Sequence, residues 1–148
     1  SQELLTRPIS GDDLEKIREH AKGIRKGVGV GFNYKDKQGM IIDRTIRDVY
    51  KKYPQKEKEY RQCREKTARD MHLVGGYNVY SALLDDPDYQ KNKMLIWFRT
   101  VLKNYKFGDD FIADAYRMMG ANVEKFMDPE TATHQKKMID EAIEIFVS

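Results

Sequence analysis

Apolar residues recur along almost the whole chain with the spacing of an α-helix, and this periodicity constrains the fold more than any other feature. They fall three or four positions apart between residues 14 and 146, and few stretches alternate apolar and polar residues as a half-buried strand would. With 148 residues, the chain is long enough to bury one hydrophobic core. We therefore predict an all-α fold of about six helices, forming a single domain over residues 1–148.

Capping and turn residues divide the first third of this pattern into two predicted helices. The first covers residues 11–27 with Asp12 or Asp13 as its N-cap. The second covers residues 40–53 and ends before Pro54. The apolar stripe of the first helix consists of Leu14, Ile17, Ala21 and Ile24.

Gly23, Gly27 and Gly31 recur every four residues through the end of the first predicted helix and the segment after it. If the helix continues through them, they form a smooth face for a close helix crossing. If it ends there, they act as caps and a flexible bend. The sequence leaves both arrangements open.

The rest of the chain is predicted to form a long central helix over residues 57–84 and three further helices. Asp86 followed by Pro87 is typical of a helix start, and the same Asp-Pro pair recurs at Asp128.

Composition excludes several classes of function. The net charge is only +3 and Lys and Arg are interleaved with Asp and Glu, so we expect no nucleic-acid partner. A single cysteine fits a reducing compartment, and no apolar run reaches the ~18 residues of a membrane span. The first ten residues lack the apolar core of a signal peptide. These features predict a cytoplasmic protein without a membrane interaction.

The segment CREKTARDMHLVGGYNVYSALLDDPDY, residues 63–89, has the most unusual pattern. At 100° per residue, one helix face mixes apolar side chains with a thiol, a hydroxyl, a carboxylate, a phenol and an amide. A carboxylate in the middle of such a face needs hydrogen-bond donors, either from ring N–H groups of a ligand or from a protein Arg or Tyr. A ligand site and a structural ion pair both fit. The face consists of Cys63, Thr67, Asp70, Met71, Val74, Tyr77, Asn78 and Ser81.

These residues resemble the phycobiliprotein branch of the globin superfamily. TARDMHLVGGYNVYSALLDDPD, residues 67–88, is similar to that family's central helix, in which an Arg-Asp pair follows a chromophore-bearing cysteine. The segment from LEKIREH to RDVYKKYP is similar to the first two globin helices, and residues 94–119 follow the order of the next two. The resemblance implies a globin-like, phycobiliprotein-type helical sandwich.

The resemblance also implies roles for site residues. Asp70 would hydrogen-bond the inner pyrrole nitrogens of an open-chain bilin, and Arg69 would meet a propionate. The pocket wall would consist of Thr67, Met71, Val74 and Tyr77.

Two departures from the family pattern limit which properties of the family can be expected of this chain. Thr67 occupies the position of the attachment cysteine, and a hydroxyl cannot form the thioether. Cys63 lies one turn earlier on the same face, about 5–6 Å away along the axis, and is the only alternative attachment point. Only thirteen residues precede Leu14, too few for the helical pair with which phycobiliproteins form their αβ unit.

A short phycobiliprotein-like chain without the attachment cysteine is most similar to the globins associated with bilin biosynthesis in cyanobacteria. This resemblance implies a non-covalent bilin-binding accessory protein whose partners would be a heme oxygenase or a bilin reductase, and a second copy of the chain. No catalytic triad or His/Cys metal cluster stands out, so we do not expect an enzyme.

Two alternatives remain open from the sequence. One is a protein-interaction globin whose pocket is filled by its own side chains. The other is a heme-binding sensor, although residues 88–106 contain no histidine that could serve as a proximal ligand, which leaves Cys63 or Tyr77. We interpret His20 and His134 as surface residues.

Overall fold

Six α-helices form the described part of the chain, which in this computed structural model comprises residue 8 and residues 10–86, 88–89, 91–105 and 107–148. These residues contain no strand, and the all-α prediction is confirmed. The helices are α1 (Gly11–Lys52), α2 (Pro54–Glu59), α3 (Cys63–Leu83), α4 (Ile96–Tyr105), α5 (Asp109–Phe126) and α6 (Pro129–Phe146).

The first two predicted helices are in fact one continuous helix, α1, of 42 residues. Of the two arrangements that the sequence left open for the glycines, the structure has the continuous helix, so residues 28–39 do not separate two helices. A Cβ atom on Gly27 would overlap the backbone carbonyl of Ala82 in α3, and one on Gly75 would overlap the Tyr34 hydroxyl. The absence of side chains at Gly27 and Gly75 therefore lets α1 and α3 pack closely.

The N-cap of α1 is Ser10, so the prediction of Asp12 or Asp13 is corrected. The Asp13 N–H donates to Ser10 Oγ at 3.2 Å, and the Ser10 N–H donates to Asp13 Oδ2 at 3.0 Å. This reciprocal pair is a capping box that satisfies two of the free N–H groups at the helix start.

The central helix α3 begins at Cys63, six residues later than predicted. Gln62 precedes it in the left-handed region at φ 55°, which separates α3 from the short helix α2. Pro54 is the first residue of α2, a position that suits proline because an N–H group there would have no hydrogen-bond partner within the helix.

A π-helical turn over Lys91–Leu95 leads directly into α4. Asp86 Oδ1 accepts from the Asp88 N–H at 3.1 Å, and this hydrogen bond forms an Asx turn of the kind that can start a helix. Pro87 of the predicted start lies outside the described residues. Asp128 caps α6 as predicted and accepts from the Thr131 N–H at 2.9 Å.

The hydrophobic core lies where α1, α3, α5 and α6 meet. A buried hydrogen bond from Asn78 Nδ2 to Gln135 Oε1, 2.8 Å long, joins α3 to α6 within it. Among the described helices, none is both long and apolar enough to span a membrane. The largest fully buried side chains include Ile41, Ile42, Met71, Met94, Leu95, Met119, Ile139 and Phe146.

Candidate functional site

Arg69 and Asp70, the charged pair in the middle of α3, contact each other only loosely. Arg69 Nε and Nη2 both lie 3.4 Å from Asp70 Oδ1, at the long end of hydrogen bonding. The Arg69 side chain is 70% exposed, whereas that of Asp70 is 19% exposed. The guanidinium is therefore in solvent, and the carboxylate faces inward with a weak partner.

The inward side of Asp70 borders a small cavity between α3, α4 and α5. It measures about 30 Å³, room for one or two water molecules. Two residues with polar side chains besides Asp70 belong to its wall, Thr67 and Tyr116. The remaining wall is apolar and consists of Leu102, Phe107, Phe111, Ile112 and Ala115.

Phe107 belongs to the cavity wall, and two tyrosine rings pack against it. Phe107 lies in the linker between α4 and α5, and its ring centroid is 4.7 Å from that of Tyr60 and 5.7 Å from that of Tyr105. The Tyr60 hydroxyl donates to the Tyr105 carbonyl at 2.8 Å. We call Tyr60, Tyr105 and Phe107 the aromatic cover. Gly108, directly after the cover, has φ +87°, a conformation that favours glycine.

Burial has the largest effect on the pKa values of the two titratable side chains in the cavity wall, Asp70 and Tyr116. It raises the pKa of Asp70, and the neighbouring Arg69 opposes that rise only in part. The pKa of Tyr116 is raised well above its ordinary value, first by burial and then by the nearby Asp70 charge. A carboxylate that is buried and short of donors is suited to accept hydrogen bonds from a ligand.

Cys63 and Thr67 belong to a hydrogen-bonded chain with Tyr50 of α1. Thr67 Oγ1 donates to the Cys63 carbonyl at 2.8 Å, so it accepts from the Tyr50 hydroxyl, which is also 2.8 Å away. The Tyr50 oxygen can then accept from the Cys63 thiol, whose sulfur lies 2.7 Å away. Cys63 is 3% exposed, so its thiol is buried and already partnered.

The other predicted site residues do not gather around Asp70. Met71 and Val74 are both fully buried in the hydrophobic core. Tyr77 lies about two turns further along α3, where its ring stacks on that of Tyr89 with centroids 6.1 Å apart. Of the predicted wall residues, only Thr67 lines the cavity beside Asp70. The ligand-binding roles assigned to the other three stay predictions.

Sequence reasoning missed the opposite wall of the cavity, which comes mainly from α5. Phe111, Ile112, Ala115 and Tyr116 are spaced as neighbours on one helix face, and all four are buried. That spacing is readable in the sequence and identifies the inner face of α5. Nothing in it indicates that this face meets Asp70, because the contact depends on how α3 and α5 cross.

The three histidines lie away from the cavity. His20 is exposed, as predicted, and His72 is exposed with Nδ1 3.4 Å from Gln38 Oε1. His134 corrects the surface prediction: it is partly buried, and its Nδ1 has no hydrogen-bond partner among the described residues. Burial, then the Lys26 and Lys137 charges, lower its pKa.

The chain was compared with protein-family models and with curated proteins. The family model described as phycobilisome protein matches residues 3–146, nearly the whole chain. A search of curated proteins finds no match.

Proposed function

Because the chain belongs to the phycobilisome protein family, we propose that it binds an open-chain tetrapyrrole, a bilin, without a covalent bond. Family membership also accounts for the globin-like all-α fold that the sequence predicts. The binding site that we propose is the Asp70 cavity, opened by movement of the aromatic cover.

One observation carries this proposal: the Asp70 carboxylate faces inward with too few donors. Its side chain is 19% exposed, and both contacts from Arg69 are 3.4 Å long. Pyrrole N–H groups are donors that a carboxylate can accept side by side, and they would compensate for the burial that raises its pKa. Arg69, which extends into solvent, is free to turn toward a propionate.

The residues present do not favour a covalent link. Thr67 lines the cavity where an attachment cysteine would be needed, and a hydroxyl forms no thioether. The Cys63 thiol is buried, lies 2.7 Å from the Tyr50 hydroxyl, and is absent from the cavity wall. The donor chemistry therefore fits a bilin that is held by hydrogen bonds and ring contacts alone.

The cavity must enlarge before a bilin can enter. Pockets for molecules of this size measure roughly 300–1,000 Å³, against about 30 Å³ beside Asp70. Phe107 lines the cavity with two tyrosines packed on it, and Gly108 offers a backbone hinge next to Phe107. We propose that Phe107 swings outward about Gly108 and leaves the two tyrosines, and that its ring then packs against the pigment.

A non-covalent site suits transient binding, so the role we propose is that of an accessory protein in bilin production, not a light-harvesting subunit. It would accept a bilin from a heme oxygenase or pass one to a bilin reductase. The test is the rate at which heme oxygenase releases biliverdin when this protein is added. We expect faster release with the wild-type chain and no acceleration with Asp70→Ala, and an unchanged rate with both would contradict the role.

Absorption titration tests the binding itself. Biliverdin, phycocyanobilin and hemin are added separately to the pure protein. We expect a saturable, red-shifted band with a bilin and at least a tenfold weaker affinity in Asp70→Ala, about 1.4 kcal/mol. Asp43→Ala, which removes an exposed carboxylate on α1, is the matched control and should bind as the wild type does. Equal binding by Asp70→Ala, or a Soret change with hemin alone, would contradict the proposal.

A second candidate function has one observation in its favour. The cavity beside Asp70 is small because Phe107, Phe111 and Leu102 already fill the space between the helices. A globin-like domain with a filled pocket would act as a protein-interaction module. The same titration distinguishes the two, since such a module would change the spectrum of no pigment.

A further inference from the structure

A cleft of about 200 Å³ lies between α1, α6 and the residues that follow α3. Its wall shares no residue with that of the Asp70 cavity. At roughly 30 Å³ per water molecule, its volume equals that of about seven waters, which is room for a ligand of amino-acid size and too little for a tetrapyrrole. We call it the α1–α6 cleft.

Charged side chains of both signs line the α1–α6 cleft. Lys26 of α1 and Lys137 of α6 are its cations, and Asp85 and Asp86, which follow α3, are its anions. Within the described part of the chain, none of these four side chains forms an ion pair. Opposite charges that share one wall without contacting each other can be bridged by a ligand that carries both.

The Asp85 carboxylate lies against α1 at Gly23. A Cβ atom on Gly23 would overlap Asp85 Oδ2, so the glycine leaves room for the carboxylate. Asp86 Oδ1 accepts from the Asp88 N–H, whereas the Asp85 carboxylate accepts no hydrogen bond from the described residues. An ammonium group of a ligand would supply the donors that Asp85 lacks.

His134 adds a third nitrogen group to the two lysines. Its Nδ1 is buried and has no hydrogen-bond partner among the described residues. Burial and then the Lys26 and Lys137 charges lower its pKa, so the ring is mostly neutral at about pH 7. With its proton on Nδ1, the neutral ring can donate to a carboxylate, which both lysines would also attract.

Ligands with a single type of charge fit this wall less well. An anion alone would leave Asp85 without donors, and a cation alone would meet the two lysines. A metal ion is also a poor fit, because no three His, Cys, Asp or Glu side chains of the described residues are arranged to hold one.

We propose that the α1–α6 cleft binds a small zwitterion, a short aliphatic molecule with an ammonium group at one end and a carboxylate at the other. The ammonium group would contact Asp85, and the carboxylate would contact Lys26, Lys137 and His134. The inference does not depend on pigment binding, because it uses no residue of the Asp70 cavity.

The spacing of the charges favours a ligand with several bonds between them. Asp85 lies at Gly23, and Lys26 leaves α1 three residues later, roughly 4.5 Å further along the helix axis. Val30 and Met138 add apolar surface to the wall, which suits a short aliphatic chain. We therefore expect 4-aminobutyrate to fit better than an α-amino acid, in which a single carbon separates the two charged groups.

Nuclear magnetic resonance of the histidine rings tests the proposal. The probe is 4-aminobutyrate, and the matched comparisons are butyrate, which lacks the ammonium group, and butylamine, which lacks the carboxylate. We expect 4-aminobutyrate to shift the His134 ring signals until they saturate, and to bind about tenfold more tightly than either comparison. It should also raise the pKa of His134, because a carboxylate beside the ring favours its charged form. His134→Gln assigns the signal, and the exposed His20 and His72 should keep their shifts.

Two variants separate the contributions of the two charges. Asp85→Asn should weaken binding of 4-aminobutyrate about tenfold without weakening that of butyrate, and asparagine tolerates the left-handed φ of 50° at this position. Lys26→Met should weaken binding of 4-aminobutyrate without weakening that of butylamine. The matched control is Lys35→Met, which removes an exposed lysine further along α1 and should bind as the wild type does.

Three outcomes would overturn the proposal. Equal affinity for 4-aminobutyrate and butyrate would mean that the cleft accepts any small anion. If none of the three compounds shifted the His134 signals, ligands of this class would be excluded. If Asp85→Asn bound 4-aminobutyrate as tightly as the wild type, the ammonium group could not be held by Asp85.

Discussion

At the scale of single residues, Asp70 should reduce the stability of the free protein at neutral pH. Burial raises its pKa, so the folded state holds the proton more tightly than the unfolded state does. Stability is then lost as the pH rises from about 4 through the raised pKa, and the loss is complete above it.

We therefore predict that Asp70→Asn unfolds at a higher urea concentration than the wild type at pH 7, with a smaller difference at pH 4. Urea unfolding followed by circular dichroism at both pH values measures this. If Asp70→Asn were less stable at pH 7, the carboxylate would be serving as a structural partner of Arg69, and its availability to a ligand would be in question.

Position 67 should decide whether a pigment becomes covalently attached. Thr67 lines the cavity, so a thiol there would face a bound bilin, whereas the Cys63 thiol is buried beside Tyr50. We predict that Thr67→Cys retains phycocyanobilin in a denaturing gel stained with zinc, because its sulfur can add to the ethylidene group, and that the wild type does not. Pigment retained by the wild type and lost in Cys63→Ser would contradict this.

At the scale of the helices, the crossing of α1 and α3 depends on Gly27. A side chain there meets the Ala82 backbone, which cannot move aside as a flexible side chain could. We predict that Gly27→Ala lowers the free energy of unfolding by about 1–3 kcal/mol, the usual cost of overpacking. Gly29→Ala is the matched control: an added Cβ has no neighbour within 4 Å, and the better helix propensity should stabilise by about 0.5–1 kcal/mol. Similar effects from both variants in chemical denaturation would contradict a close crossing.

The helices also show what sequence periodicity can and cannot supply. The inner faces of α5 and α6 follow from the spacing of their apolar residues, and Asp128 identifies the start of α6. The length of α1 does not follow, because Gly23, Gly27 and Gly31 lower helix propensity locally, while the packing of Gly27 and Gly31 against α3 is a tertiary contact. The same limit explains Leu14, Ile17 and Ile24, whose spacing resembles a core face although all three are exposed.

At the scale of the whole molecule, His134 makes the stability of the folded protein depend on pH in the mildly acidic range. It lies partly buried on α6 and faces a space shared with α1, where burial and then the lysines at positions 26 and 137 lower its pKa. A histidine with a lowered pKa binds its proton less readily when folded, so stability falls as the pH drops below about 6.5 and through the lowered pKa. We predict that His134→Gln loses less stability than the wild type between pH 7.5 and about 5. Parallel losses in both proteins, measured by urea unfolding, would exclude this contribution.

Only the part of the candidate site that α3 supplies could be predicted from the sequence. The inward direction of Asp70 follows from its position on the mixed face of α3, and so does the presence of Thr67 beside it. The aromatic cover and the α5 wall did not follow, because Phe107 lies in a linker and Tyr116 reaches Asp70 only through the packing of α5. Contacts between distant segments depend on crossing geometry, which a single sequence does not state.

A crystal structure of the protein with biliverdin bound would measure most directly where a bilin sits. We predict pyrrole nitrogens about 3 Å from the Asp70 carboxylate, no bond to Cys63, and Phe107 displaced from its present place. A pigment in the groove between α1 and α3, with Phe107 still packed against Tyr60, would contradict it.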